Sequence, residues 1–304
     1  EKTNLCEADL TGIALNTNIR INSLCWSNDG KYLWAGCTDG TLRQWNTDTW
    51  QESILISGLQ GTDRSILAMK DGQRIVVGDR GNTALLWDIS SQTEIRRFNN
   101  PHGMGHQMAL SPDENFLACV DSAQKVIVFD MESGEQSKIF QTNVILLCVA
   151  FSQDGKRLIA GGDGDEIFVW DFGTGQILDK LNTETSSGYK ICHSRYQDKF
   201  LSYGYGEKFT GNYLECWNSL NGEQIFSIKC RSGSSLSYSY DESKFACAEW
   251  FGSIGLYDSE SGELIQKINS DDTRTIAFSP DDRYLASGDI RSTIRIWDIN
   301  ENSP

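Results

Sequence analysis

The sequence predicts an all-β fold assembled from seven copies of one four-stranded unit, and three observations predict it. An aromatic residue followed by Asp or Asn recurs at Trp45-Asn46, Trp87-Asp88, Phe129-Asp130, Trp170-Asp171, Trp217-Asn218, Tyr257-Asp258 and Trp297-Asp298. Successive aromatics are 42, 42, 41, 47, 40 and 40 residues apart, a period that suits four short strands and their turns. No segment carries apolar residues at a 3.6-residue period over three turns, so long amphipathic helices are excluded.

Each unit reads in the same order, and the last shows it best. Thr275-Ile276-Ala277-Phe278 is a short apolar strand, and Ser279-Pro280-Asp281-Asp282 is a turn. Tyr284-Leu285-Ala286-Ser287-Gly288 is a second strand, and Thr293-Ile294-Arg295-Ile296-Trp297 alternates apolar and polar residues as a half-buried third. The first turn recurs as Ser27-Asn28-Asp29-Gly30, Ser111-Pro112-Asp113-Glu114 and Ser152-Gln153-Asp154-Gly155. Asp bonds its own backbone there, and Gly accepts a positive φ. A second turn follows the aromatic pair, as in Gly173-Thr174-Gly175 and Ser259-Glu260-Ser261-Gly262. A fourth strand then runs through Glu94-Ile95-Arg96-Arg97-Phe98 or residues 176–181.

Seven in-register copies, three of them with a true Trp-Asp pair, closely resemble the WD-repeat family, and the resemblance covers almost the whole chain. It implies a single seven-bladed β-propeller of four-stranded antiparallel blades spanning residues 1–304, where length alone would suggest two domains of about 150 residues. The last unit has only Ile299 to Pro304 after its third strand, while Leu5 to Ile13 precedes the first strand of unit one. We therefore expect residues 1–14 to supply the closing fourth strand of the last blade, because an open ring leaves two sheet faces unburied. Many relatives carry a buried Asp–His–Ser/Thr–Trp relay in each blade. Here Asp39 stands six residues before Trp45, but the equivalent positions elsewhere are Gly81, Ala123, Gly164, Gly211, Phe251 and Arg291. Stability is then expected to rest on apolar packing between blades.

Composition excludes several function classes. The chain has 27 Lys and Arg against 42 Asp and Glu, a net charge of −15, which opposes sequence-independent binding to nucleic acid or anionic membrane. The longest apolar run, Val144 to Phe151, is far short of a membrane helix, and Glu1-Lys2-Thr3-Asn4 opens no signal peptide. None of the nine Cys forms a Cys-x-x-Cys pair, and most lie in apolar runs. Buried thiols in a reducing, cytoplasmic compartment are expected. His102 and His106 have a helical metal-ligand spacing, but they flank Gly103-Met104-Gly105 after Pro101, a loop. Gly161-Gly162-Asp163-Gly164-Asp165 opens a strand, not the helix a dinucleotide loop needs. No nucleophile elbow, phosphate loop or zinc-protease motif appears, so no enzyme activity, cofactor or metal is expected.

What remains is binding. Aligned on the Ser-x-Asp turn, the residue five positions earlier in each unit is Asn22, Arg64, His106, Leu147, Lys190, Ser234 and Arg274. The resemblance places this position at the loop-bearing rim of a propeller's channel, with Arg20, Arg231 and Arg291 nearby. A basic mouth on an acidic body suits a carboxylate-rich or phosphorylated segment, since Arg pairs bidentately with both. Seven unrelated solvated residues that include bases are the other reading. Unit five carries four extra residues, which enlarge the loop from Tyr205 to Asn212. Tyr203, Tyr205, Phe209, Trp250 and Phe251 are thereby expected on neighbouring blades, either as an exposed hot spot or packed on one another. The expected function is a non-catalytic module that binds a protein or peptide through this rim. Opening at Glu1 rather than Met suggests a fragment of something larger, and the family resemblance then implies either the sensor part of a large signalling protein or a scaffold or substrate receptor within a multiprotein complex. The rival is a small-molecule or enzymatic propeller that uses its channel.

Overall fold

The computed structural model describes residues 8–9, 19–60, 62–79, 82–100, 107–206, 211–230, 233–249, 252–270 and 272–299, with backbone alone at 8–9, 62–64 and 189. The strands fall where the repeat puts them. Unit one folds as Ile21–Trp26, Tyr32–Cys37, Leu42–Asn46 and Glu52–Ile56, and six further antiparallel sheets of four strands follow. The last contains Thr273–Phe278, Tyr284–Asp289 and Ile294–Asp298, and its fourth strand is Ala8–Asp9, paired as Ala8↔Ile296 and Asp9↔Arg295. The expected closure is therefore present, and the rest of the 1–14 segment lies outside the described residues.

The first strand of every blade meets the first strands of both neighbours, and Thr273–Phe278 meets Ile21–Trp26, which completes the cycle. Burial follows from this radial order. Second and third strands, such as Phe116–Val120 and Lys125–Asp130, are buried almost throughout, whereas Gln136–Gln141 on the outside is mostly exposed. The apolar core consists of seven clusters, each shared by two neighbouring blades. A blade has no core of its own, and the ring is stable only as a set of seams.

The aromatic-Asp pair has two separate physical roles. Its Asp or Asn caps the turn to the fourth strand: Asp130 Oδ1 accepts from the Ser133 N–H at 2.7 Å and the Ser133 hydroxyl at 2.9 Å. Asp88, Asp171 and Asp258 hold the same bonds. These backbone N–H and hydroxyl donors hold all four carboxyls below the ordinary Asp range. A depressed carboxyl stabilises above its unfolded pKa, and the contribution is lost as pH falls through the folded value. Melting temperature should therefore fall below about pH 4. Asn46 and Asn218 hold the same turn without titrating. Asp130→Asn with Asp258→Asn should consequently flatten the acid limb of melting temperature against pH, and an unaltered limb would contradict this assignment.

The aromatic itself needs an acceptor when it is Trp. Leu285 faces Trp297 across the strands, and Phe200 faces Trp217. Two residues further on, Ser287 and Ser202 accept from the indoles at 2.8 and 3.0 Å. In blades one and two that position holds Ala35 and Val77, and the buried Nε1 atoms of Trp45 and Trp87 have no partner. The relay survives only as these Trp–Ser pairs among the described residues. Ala35→Ser should raise stability by about 1 kcal/mol by satisfying Trp45, and equilibrium denaturation showing no gain would count against it.

Candidate functional site

The channel has two rims. Loops from second to third strands form one, here the loop rim, and the Ser-x-Asp turns form the other, the turn rim. Near the loop rim the first strands of six blades are irregular at the same place, and in blade three that place lies outside the described residues. Asn22, Leu147, Ser234 and Arg274 are the extra residues of β-bulges, and Arg64 lies within the irregularity between Thr62 and Ile66. A bulge leaves its extra residue outside the ladder and re-aims it, so this position is structurally distinct from its neighbours. Blade five departs from the expected alignment. Its turn is anchored at Ser194, whose N–H bonds the Lys199 carbonyl and whose hydroxyl accepts from Gln197 N at 2.7 Å. Its bulged residue is therefore Tyr189, and Lys190 sits in the ladder opposite Tyr203.

Of the expected basic residues, Arg20 and Arg291 are exposed, and Lys190 and Arg274 are half-buried. The Arg64 side chain and all of His106 lie outside the described residues. Asp289, 2% exposed, accepts from Arg291 N at 2.8 Å and Thr293 N at 2.9 Å and so fixes the loop that carries Arg291. Asp121 does the same for its loop through Ala123 N and Lys125 N. Asp79 accepts from Gln60 N at 2.8 Å, and Glu249 from the Ser253 hydroxyl at 2.6 Å. These four acids stand eight residues before their blade's aromatic, two earlier than the relay position, a spacing that is legible in the sequence. Asp39 itself is a loop residue, bonded to Thr41 and Arg43.

The expected aromatic patch needs a correction. Tyr203 is 2% exposed, packs edge-on to Tyr205 at 6.3 Å and bonds the Gly233 N–H through its hydroxyl, so it belongs to the seam between blades five and six. Tyr205 is half-buried, and Phe209, Trp250 and Phe251 lie outside the described residues.

Between the rims, hydroxyls on the first strands join blade to blade. Ser65 accepts from Met108 N at 3.1 Å, Ser235 from Ile276 N at 3.3 Å, and Thr275 from Leu24 N at 3.1 Å, the last across the ring closure. Beyond this belt a cavity of 740 Å³ extends to the turn rim. Its inner wall carries small side chains, among them Cys25, Ala109, Ala150, Cys192, Ser237 and Ala277. At its mouth the Arg195 guanidinium lies 3.9 Å over the Tyr240 ring, and Tyr196 is 65% exposed.

The turns of this rim are stapled by carboxylates. Glu242 accepts from the Ser194 hydroxyl at 2.5 Å and from the N–H groups of Arg195 and Tyr196. Asp282 accepts from Tyr240 N and Asp241 N, and Glu114 from Lys70 N at 2.7 Å. Glu114, Glu242 and Asp282 all have positive φ, where blades one, two and four use Gly30, Gly72 and Gly155. The bond to the preceding blade offsets the strain of a side chain in that region.

The geometry has a sequence counterpart. A family model described as WD domain, G-beta repeat matches residues 10–46, 134–171 and 262–298, each ending on or beside an aromatic-Asp/Asn pair of this ring. The chain belongs to the WD-repeat family. This WD-repeat chain is 21% identical over 266 residues to WD repeat-containing protein 1 of Bos taurus, covering 76% of the chain and 41% of that protein. It is 24% identical over 215 residues to the APC/C activator protein CDC20 of Saccharomyces cerevisiae, covering 70% and 34%. Over 299 residues it is 21% identical to apoptotic protease-activating factor 1 of Rattus norvegicus, covering 92% of the chain and 22% of that protein. The WD-repeat chain thus spans less than half the length of each. Its fold matches a chain in the crystal structure of a mitotic checkpoint complex with a TM-score of 0.80 at 19% identity, covering 92% of this chain and 87% of that one. Among the described residues no group of three His, Cys, Asp or Glu side chains is placed to hold a metal, and no helix is long and apolar enough to cross a membrane.

Proposed function

We propose that this propeller is a non-catalytic interaction module, that it binds a protein or peptide segment at its loop rim, and that the segment is acidic or phosphorylated. The observation that carries the reading is the exposure of Arg20 and Arg291 on adjoining blades one and seven, beside the bulged Arg274, in a chain of net charge −15. Asp289 holds the Arg291 loop from beneath, so the cation is presented by a fixed backbone and little ordering entropy opposes binding. Similarity to an APC/C activator and to a chain of a mitotic checkpoint complex supports a place within a larger assembly. The short span relative to its relatives supports a sensor or scaffold part of a larger protein. The eight described cysteines, all free thiols, suit a reducing, cytoplasmic setting.

Affinity capture from a cell extract, with wild type beside Arg274→Glu/Arg291→Glu, tests this. A partner held by wild type should bind the double variant about tenfold more weakly or worse, and wild-type binding should weaken with added salt. Equal binding by both proteins at all salt concentrations would remove the basic rim from the account.

A further inference from the structure

We infer that the cavity at the turn rim is a second site, on the opposite end of the channel from the proposed protein-binding rim, and that it takes a small amphipathic carboxylate. Two properties coincide there. The first is an unpaired cation. Among the described residues no carboxylate lies within ion-pair distance of the Arg195 guanidinium, although acids outnumber bases in the chain. The carboxylate closest to its backbone, Glu242, is occupied by Ser194, Arg195 N and Tyr196 N. Those bonds fix the turn, and the Tyr240 ring 3.9 Å below fixes the guanidinium plane. Tyr240 is in turn tied to blade one through Asn28, whose amide bonds the Met69 carbonyl at 2.7 Å. The cation is thus held over the mouth with its fork of N–H donors unused by any acid.

The second property is the space beside it. At 740 Å³ the cavity falls within the range of small-molecule sites. Its inner wall alternates small apolar groups and thiols with Leu67, so an alkyl or single-ring body meets no charge along the bore. Glu114 at the rim is engaged by Lys70 N, and the Lys70 ammonium by the Pro112 carbonyl. A carboxylate head on Arg195 with its apolar body in the bore satisfies both features. A neutral amphipath satisfies one.

Calorimetric titration with octanoate and, separately, 1-octanol tests the inference on the whole chain. Octanoate should bind wild type at least about tenfold more tightly than 1-octanol, Arg195→Gln should erase that preference, and Arg195→Lys should keep part of it. Ala277→Leu, which fills the bore, should weaken both ligands. Arg274→Glu, at the other rim, should leave octanoate binding unchanged, which separates this site from the proposed protein-binding one. The inference is overturned if octanoate does not bind, if octanoate and 1-octanol bind equally, or if Arg195→Gln retains full octanoate affinity while its melting temperature matches wild type.

Discussion

A chain lacking residues 1–14 should melt at least about 6 °C below the full chain, corresponding to about 3 kcal/mol or more. The ground is the ring closure. Ala8–Asp9 is the strand that covers the outer edge of Ile294–Asp298, and its loss leaves the backbone groups of that edge without their partners. Ile296, 2% exposed, sits in the cluster that joins blades seven and one, so a frayed third strand loosens a seam as well as an edge. In a ring whose blades are stable only through their neighbours, one open seam exposes two sheet faces. Calorimetry on the two proteins decides the matter, and coincident melting curves would show that the closure does not stabilise.

Glu242→Ala is the second change with a large expected effect, a loss of about 3 kcal/mol. The carboxylate is 2% exposed and serves three donors on the turn of the preceding blade. Alanine leaves those donors short of a charged acceptor and keeps the positive φ of 56°. Glu242→Gly relieves the backbone strain but loses the same bonds, so it should be less destabilised than Glu242→Ala by about 1 kcal/mol while remaining below wild type. Chemical denaturation of the three proteins reads this order directly. A Glu242→Gly variant as stable as wild type would mean that the staple contributes no more than the backbone strain it offsets.

The repeat was legible because its signals are local. The aromatic-Asp pair caps its own turn, and the Ser-x-Asp turn bonds within a few residues, so spacing alone placed the strands and exposed the missing fourth strand of the last unit. Blade five shows how that method slips. Its Asp198 follows Ser194 by four residues, where Asp29 follows Ser27 by two. The turn's anchor is Ser194, so the residue five positions before it is Tyr189 and not Lys190. Contacts between blades carry no local signal. Glu242 and Ser194 are 48 residues apart, and nothing in either turn announces the other. Burial of Tyr203 was hidden for the same reason, because its hydroxyl finds Gly233 in the next blade. That no carboxylate among the described residues pairs with Arg195 is likewise a fact of three dimensions, since the sequence offers acids at every turn.

On the proposed function, the rigid ring presents its loop rim, with Arg20, Arg274 and Arg291, to an acidic or phosphorylated segment. Hydrogen–deuterium exchange of the chain, free and bound to its captured partner, tests it most directly. Partner binding should bring new protection at the loops around residues 19–22, 272–275 and 289–293, with the outer strands such as Gln136–Gln141 unchanged. Protection confined to the outer strands, with those loops exchanging as in the free chain, would contradict it.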